Sequence, residues 1–274
     1  MIHINNEYVR QGDIVPEEFL LTAEVTEAVE EWYPRIKEDI EKMQYLVGER
    51  EEHQVRILKQ CDNPYECMFK PYCWQDIPKH SIYNLYLSEE ELNSLLDKNI
   101  VDLKDVPEGF IQKEKYANYY KALKTGQTSI NKQAISEKLS FYDYPLYFFD
   151  YETNNPGIPR YDGYQPYQQM PFQYSLHILD APDAELRHFE FLADTDEDPV
   201  PALVESLKKE VGPKGSFVSW YKGFECGRNK EIMEMYPEYE DFFTDINDRM
   251  LDLMEFFSEG LYIDKEFMGS ASLK

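Results

Sequence analysis

Hydrophobic positions recur at helical spacing in the first half of the chain. A long amphipathic helix is predicted over residues 22–47, because its apolar side chains fall on one helical face. These are Val25, Val29, Trp32, Ile36, Ile40, Met43 and Val47. Pro34 lies within this stretch, and we expect it to split or kink the helix because proline lacks an amide proton and clashes with the preceding turn. Shorter helices are predicted at 88–98, with Ser88 as N-cap, and at 113–124 and 132–140.

The pattern changes after Ser140, where short runs of aromatic and β-branched residues predict strands. The predicted strands cover residues 144–152, 170–179, 186–193 and 216–221. Helices are predicted at 199–211, from about 225 to 236, and at roughly 239–258. Three strands, a helix, a strand and a helix are the order of an RNase H-like α/β core. We therefore predict an α+β chain overall, with a mainly helical, cysteine-bearing part at 1–140 and an α/β domain at 141–274.

Charge and composition bear on the partners of the protein. The net charge is −25, and no basic stripe of the kind that contacts nucleic-acid phosphates is visible. This counts against nucleic-acid binding, although bound metal ions can supply positive charge locally. No apolar run reaches the roughly 20 residues that span a bilayer, and no secretory signal is visible, so we expect a cytoplasmic protein without a membrane partner.

Three carboxylates form the first candidate site. Asp150 and Glu152 end the strongest predicted strand, and residues two apart in a strand project to the same face. Glu225 follows the fourth strand at a predicted helix start, where backbone amides favour negative charge. Like charges this close favour a bound cation, and hard carboxylate oxygens suit Mg²⁺ or Mn²⁺. The plainer alternative is a solvated pair of acids and an ordinary acid in the first turn of a helix.

Cys61, Cys67 and Cys73 form the second candidate site, in a proline-containing loop. Three soft ligands with short spacers can converge on one metal ion. His53 or His80 can complete a zinc site, because Zn²⁺ accepts mixed sulfur and nitrogen ligands. The alternative is three reduced thiols without a metal.

The loop at 153–171 is rich in Pro, Tyr and Gln and follows Asp150 and Glu152. Loops beside a site often bind substrate, aromatic rings stack on unpaired bases, and arginine binds phosphate. Arg160, Tyr161 and Tyr167 are therefore candidate substrate-binding residues. The same composition also suits a stiff cap over the core.

The order of these motifs resembles that of the DEDD-type exonucleases. Those enzymes carry Asp-x-Glu on the first strand, as at Asp150 and Glu152, and a Phe-Asp segment after the fourth strand, matched here by Phe224-Glu225. Tyr221 stands where the family usually has Asn, and Arg249-x-x-Asp252 is similar to the intermediate segment. The resemblance implies two-metal hydrolysis of phosphodiesters at single-stranded DNA or RNA ends, of the 3'–5' exonuclease type, with Asp252 in a supporting role.

The chain is more closely similar to bacterial domain-of-unknown-function family 2779. In that family a PD-(D/E)XK nuclease module with a cysteine cluster precedes a DEDD-like domain. Four stretches carry the resemblance: 61–74, 144–153, 166–177 and 269–274. It implies a [4Fe–4S] cluster on Cys61, Cys67 and Cys73, with Zn²⁺ as the alternative, and a fourth cysteine from further upstream. Cys226, the remaining cysteine, lies in the other predicted domain.

Two parts of the family pattern have no counterpart in the 274 residues. The catalytic strands of the PD-(D/E)XK module would lie before Met1, and the last acidic motif of the exonuclease would lie after Lys274. We therefore expect this chain by itself to have little or no nuclease activity. The competing class is a non-catalytic acidic scaffold or interaction protein derived from a nuclease, which the net charge of −25 favours.

Overall fold

A computed structural model of the protein describes residues 1–52, 55–194 and 196–272. Ten α-helices lie in the described residues: α1 Pro16–Phe19, α2 Thr26–Gly48, α3 Lys70–Cys73, α4 Glu89–Leu96, α5 Glu114–Thr125, α6 Lys132–Leu139, α7 Pro199–Glu210, α8 Lys222–Met235, α9 Glu240–Asp248 and α10 Glu255–Ser258. The strands there are β1 Ile2–Ile4, β2 Leu20–Thr22, β3 Ser129–Ile130, β4 Leu146–Asn154, β5 Met170–Leu179, β6 Arg187–Leu192, β7 Ser216–Ser219, β8 Met250–Asp252 and β9 Tyr262–Ile263. No helix of this described part is long and apolar enough to cross a membrane.

The chain divides into two compact units. The first joins Met1–Leu58 to Asn155–Gln168, and the second joins Lys59–Asn154 to Gln169–Lys274. This division does not follow the predicted boundary near residue 140, which separates kinds of secondary structure rather than compact units. The two domain assignments stay predictions.

The first unit is built on the antiparallel pair of β1 and β2. Arg10 holds the 155–168 segment, because its guanidinium donates hydrogen bonds to the carbonyls of Pro159 and Arg160 at 2.9 and 2.6 Å. Gly12 N–H donates to the Asp162 carboxylate at 2.8 Å. Helix α2 belongs to this unit, and none of its residues is buried.

The second unit contains a five-stranded mixed sheet in the order β6-β5-β4-β7-β8. Strand β5 is antiparallel to both β4 and β6, whereas β4, β7 and β8 run parallel to one another. A parallel pair needs a crossover between its strands, and α7 lies in the connection to β7 while α8 and α9 lie in the connection to β8. The fold is therefore mixed α/β, as predicted.

Helices α7 and α8 cover one face of this sheet. The ring of Phe217 in β7 stacks on Tyr147 at 4.8 Å and meets Phe149 edge-on at 5.9 Å. On the same face the Tyr174 hydroxyl shares a hydrogen bond of 2.9 Å with Ser206 of α7. These aromatic side chains form the core between sheet and helices, and their alternation leaves the odd-numbered positions of β4 buried.

A second core joins the helical region to the end of the chain. Its buried residues are Ile82, Leu85, Leu95, Leu103, Val106, Tyr119, Ala122 and Ile263. Ile263 lies in β9, which pairs antiparallel with β3 next to α5. The described residues after β8 are therefore folded together with those between α4 and α6.

Most predicted elements are present within a few residues of their expected bounds. Strand β5 matches its prediction at 170–179, and α4, α5 and α6 match theirs. The helix predicted over 239–258 is wrong: α9 ends at Asp248, β8 follows, and α10 starts at Glu255. Strand β8 has only three residues, all buried or half-buried, at the edge of the sheet. Such a short stretch shows too little hydrophobic periodicity to distinguish a strand from a helix.

Pro34 does not split the long N-terminal helix. Helix α2 runs from Thr26 to Gly48 as one element with the proline inside it. The missing amide removes one hydrogen bond from a helix of 23 residues, which continues past the proline to Gly48.

Helix α4 begins at the predicted N-cap Ser88, which forms a capping box with Glu91. The Ser88 hydroxyl accepts the Glu91 amide at 3.2 Å, and the Glu91 carboxylate accepts the Ser88 amide at 2.8 Å. We expect Ser88→Ala to lower the free energy of unfolding by about 1 kcal/mol, because both partners of this reciprocal pair are weakened. Urea unfolding measures the change, and Ser88→Asp, which keeps an acceptor, should lose less. An equal loss in both variants would contradict the capping role.

Candidate functional site

The first two carboxylates lie on the sheet face opposite α7 and α8. In β4 the buried Tyr147, Phe149 and Tyr151 alternate with the exposed Asp150 and Glu152. The two acids therefore project together, as the spacing of two residues predicts. Asp150 pairs with Ser175 of β5, in the middle of the sheet.

Glu225 lies in the first turn of α8, directly after the turn that leaves β7. Its side chain is buried, and no described residue donates a hydrogen bond to its Oε2 atom. The pKa of the Glu225 carboxyl is raised to about 7, chiefly by burial and to a smaller extent by the charges of Asp150 and Asp252, while its own amide and the Ser219 hydroxyl act in the opposite direction. A buried carboxylate that has one oxygen without a hydrogen-bond donor and lies near two other acids is costly unless a proton or a cation neutralises it.

Asp252 has a structural task at the end of β8. Its carboxylate accepts the amides of Tyr221, Lys222 and Met254 at 3.0, 3.1 and 2.9 Å. It therefore ties β8 to the start of α8 and fixes the turn that carries Tyr221, whose φ of 72° is left-handed. The supporting role in catalysis that the resemblance implies for Asp252 stays a prediction.

A buried hydrogen-bonded chain sets the orientation of α8. The Tyr151 hydroxyl donates to Asn229 at 2.9 Å, and Asn229 donates to Asn247 at 2.8 Å. Glu225 and Asn229 are four residues apart, so they lie on the same side of the helix. We did not predict Asn229, Ser219 or Lys222 from the sequence; the only available signal was the spacing of Asn229 from Glu225.

The candidate metal ligands form no closed ligand set. Among the described residues, no group of three or more His, Cys, Asp or Glu side chains is placed to hold a metal ion. Asp150 and Glu225 nevertheless lie close enough for their charges to interact. The unpaired Glu225 oxygen and hard carboxylate donors fit a divalent cation, whereas Glu152 shares only the face of Asp150.

The cysteines lie in a short, well-connected loop. Cys67 N–H donates to the Cys61 carbonyl at 2.9 Å, and Lys70 bonds the carboxylates of Asp62 and Glu66. The three thiols are free, with Cys61 buried, Cys67 half-buried and Cys73 exposed. His80 bonds the Tyr119 hydroxyl at 3.0 Å, and His53 lies outside the described residues. An iron–sulfur or zinc site here stays a prediction.

The predicted substrate-binding residues belong to the first compact unit, with the 155–168 segment. There the Arg160 guanidinium lies 5.8 Å from the ring centre of Tyr161, and Tyr167 packs beside Gly157 with a φ of 61°. The carboxylates belong to the second unit, so the role of Arg160, Tyr161 and Tyr167 also stays a prediction.

The second unit has a mixed α/β fold, with Asp150 and Glu152 on its central strand β4, Glu225 in the first turn of α8 and Asp252 at the end of β8. Comparison with protein families shows a Domain of unknown function (DUF2779) at residues 147–272, a little under half of the chain. This domain begins within β4 and contains Asp150, Glu152, Glu225 and Asp252. No curated protein and no solved structure matches the chain.

Proposed function

We propose that this protein is a metal-dependent nuclease by descent, with a divalent-cation site at Asp150, Glu152 and Glu225. The observation that carries the proposal is Glu225, a buried acid with one unpaired oxygen whose pKa is raised chiefly by burial and also by the charges of Asp150 and Asp252. The sheet has the strand order β6-β5-β4-β7-β8, and β5 is the one strand of this sheet that runs antiparallel to the other four. This arrangement supports an RNase H-like core. Asp150 and Glu152 lie on the central strand β4, and Glu225 lies in the first turn of α8, the helix that follows β7.

The residues have separable tasks in the proposed reaction. Mg²⁺ or Mn²⁺, when bound, activates water and neutralises charge on the leaving oxygen of a phosphodiester. Asp150 and Glu225 supply hard oxygen ligands, and Glu152 lies beside Asp150 on the same strand face. Asp252 and the Tyr151–Asn229 bond position α8, and with it the Glu225 carboxylate.

A non-catalytic scaffold is the second candidate. The absence of a closed ligand group in the described part of the chain favours it, as does the net charge of −25. A scaffold has no need of a cation at Glu225, so metal binding separates the two candidates.

Mn²⁺ binding tests the proposal directly. We expect isothermal titration at pH 8 to show Mn²⁺ binding by the wild-type chain, and Asp150→Asn to weaken it at least tenfold because a hard anionic ligand is lost. Asp183→Asn is the matched control, since this exposed acid lies in the β5–β6 hairpin at the other end of the sheet. Equal Mn²⁺ affinity in all three proteins, or no binding in any, would favour the scaffold.

A further inference from the structure

A cavity of about 530 Å³ lies next to Trp220, which directly follows β7. It is lined by Trp220, Phe257, Glu266, Phe267, Met268 and Ser270 to Ser272. The lining is mainly aromatic and apolar, and its size is in the range of small-ligand sites. The sequence motifs assign no role to it.

Trp220 links this cavity to the turn between β7 and α8, where Asp252 binds. Phe148 of β4 pairs with Val218 of β7, and β7 ends at Ser219, directly before Trp220. The next residue, Tyr221, donates its amide to the Asp252 carboxylate at 3.0 Å. Trp220 also directly precedes the turn that leads to Glu225.

The wall of the cavity is held in place before any ligand binds. The Trp220 indole N–H donates to the Ala271 carbonyl at 3.1 Å, and its ring lies 5.1 Å from Phe257. Phe267 meets Phe257 edge-on at 5.7 Å, and Lys79 pairs with Glu266 at 2.6 Å. A preformed aromatic wall binds a planar ligand without the cost of ordering it.

We propose that this cavity is a subsite for an unpaired nucleobase at the end of a single-stranded nucleic acid. The inference rests on the proposed function, because it places the base next to the turn that leads to Glu225, one of the acids that would hold the metal. Bases stack on aromatic faces without regard to sequence, which suits a lining with few polar groups. Stacking also needs no basic stripe, so it agrees with a net charge of −25. Lys222, at the start of α8, is the neighbouring cation for a phosphate; its charge also lowers the pKa of the nearby Glu255 carboxyl, after the larger effect of Lys138.

Binding of a fluorescein-labelled ten-nucleotide oligo(dT) in Ca²⁺ tests the subsite. We expect Trp220→Ala to raise the dissociation constant about 5- to 100-fold and Trp220→Phe to raise it less, because phenylalanine keeps a stacking face. Two further oligonucleotides carry an abasic residue, one at the 3' end and one at the 5' end. The one that lacks the base entering the cavity should bind the wild type as weakly as oligo(dT) binds Trp220→Ala. When Trp220→Ala is tested with that abasic oligonucleotide, the dissociation constant should rise little beyond the increase that either change causes alone, because the base and the ring interact with each other. Trp32→Ala, in the exposed face of α2, is the control.

The outcomes separate this inference from the proposed function. Oligo(dT) binding that depends on Asp150 but not on Trp220 would overturn the subsite and leave the nuclease proposal standing. Binding that depends on Trp220 and on the terminal base, with no Mn²⁺ binding, would support the subsite and oppose the metal-dependent function. No oligonucleotide binding by the wild-type chain would overturn both.

Discussion

Gly215→Ala is expected to lower the free energy of unfolding by about 3 kcal/mol or more, because overpacking and an unsuitable backbone conformation add together. A methyl group on Gly215 would lie 2.2 Å from the Pro145 carbonyl oxygen, and the residue has a φ of 98°. Ser216, the next residue, donates its amide to Pro145 and Asp143 at 3.1 and 2.9 Å. Making room for the methyl group would therefore pull apart the start of the β4–β7 pair.

Gly227→Ala is the matched control for this prediction. Gly227 lies inside α8, and a methyl group there would have no described heavy atom within 4 Å. Alanine is favoured over glycine in a helix interior by roughly 0.5–1 kcal/mol, so this variant should be slightly more stable than the wild type. Urea unfolding of both variants gives the comparison. A small loss at Gly215, similar to the effect at Gly227, would show that the β4–β7 entrance can shift cheaply.

Glu225→Gln is expected to reverse its effect on stability with pH and with metal. In the folded protein the pKa of Glu225 is raised to about 7, chiefly by burial, from the ordinary value of 4.5 that the unfolded chain has. The folded state therefore holds a proton that the unfolded state has released, so the stability contributed by this group falls as pH rises from about 4.5 to 7. Glutamine resembles the protonated form, so without metal it should match the wild type near pH 5. At pH 8 it should be more stable by on the order of 1–2 kcal/mol, a figure discounted for solvent screening.

A divalent cation should invert this difference. With Mn²⁺ at pH 8 the wild type should gain stability by mass action, whereas Glu225→Gln should gain far less because it lacks the anionic ligand. Thermal unfolding at pH 5 and 8, with and without Mn²⁺, measures all four conditions. Glu185→Gln, at an exposed hairpin position, is the control. A variant less stable than the wild type at pH 8 without metal would mean that the ionised carboxylate has a stabilising partner.

Local sequence patterns predicted the elements in which apolar and polar side chains alternate along a strand or recur at helical spacing. The capping residues of α4 and the aromatic alternation of β5 are local signals, and both elements lie where the sequence placed them. Asp150 and Glu152 share a face for the same reason. The order of strands and helices then indicated a mixed α/β fold.

The missed features depend on residues that are distant in sequence. Strands β3 and β9 have two residues each and exist because they pair with each other across more than a hundred positions. The burial of Glu225 depends on the packing of α8 against the sheet, and the amide-binding task of Asp252 depends on the turn at Tyr221. The cavity beside Trp220 needs a wall from residues 266–272 that no pattern around Trp220 indicates.

The pairing of β3 with β9 also bears on how such a protein can be divided or recombined. The family-matched segment includes Ile263, whose side chain completes a core made otherwise by residues 82–122. A cut near residue 140 would leave one fragment with an unpaired strand edge and the other with a hole in its apolar interior. The family-matched segment 147–272 therefore shares its core with residues outside it, and a fragment designed to fold needs the helical residues 82–130 as well.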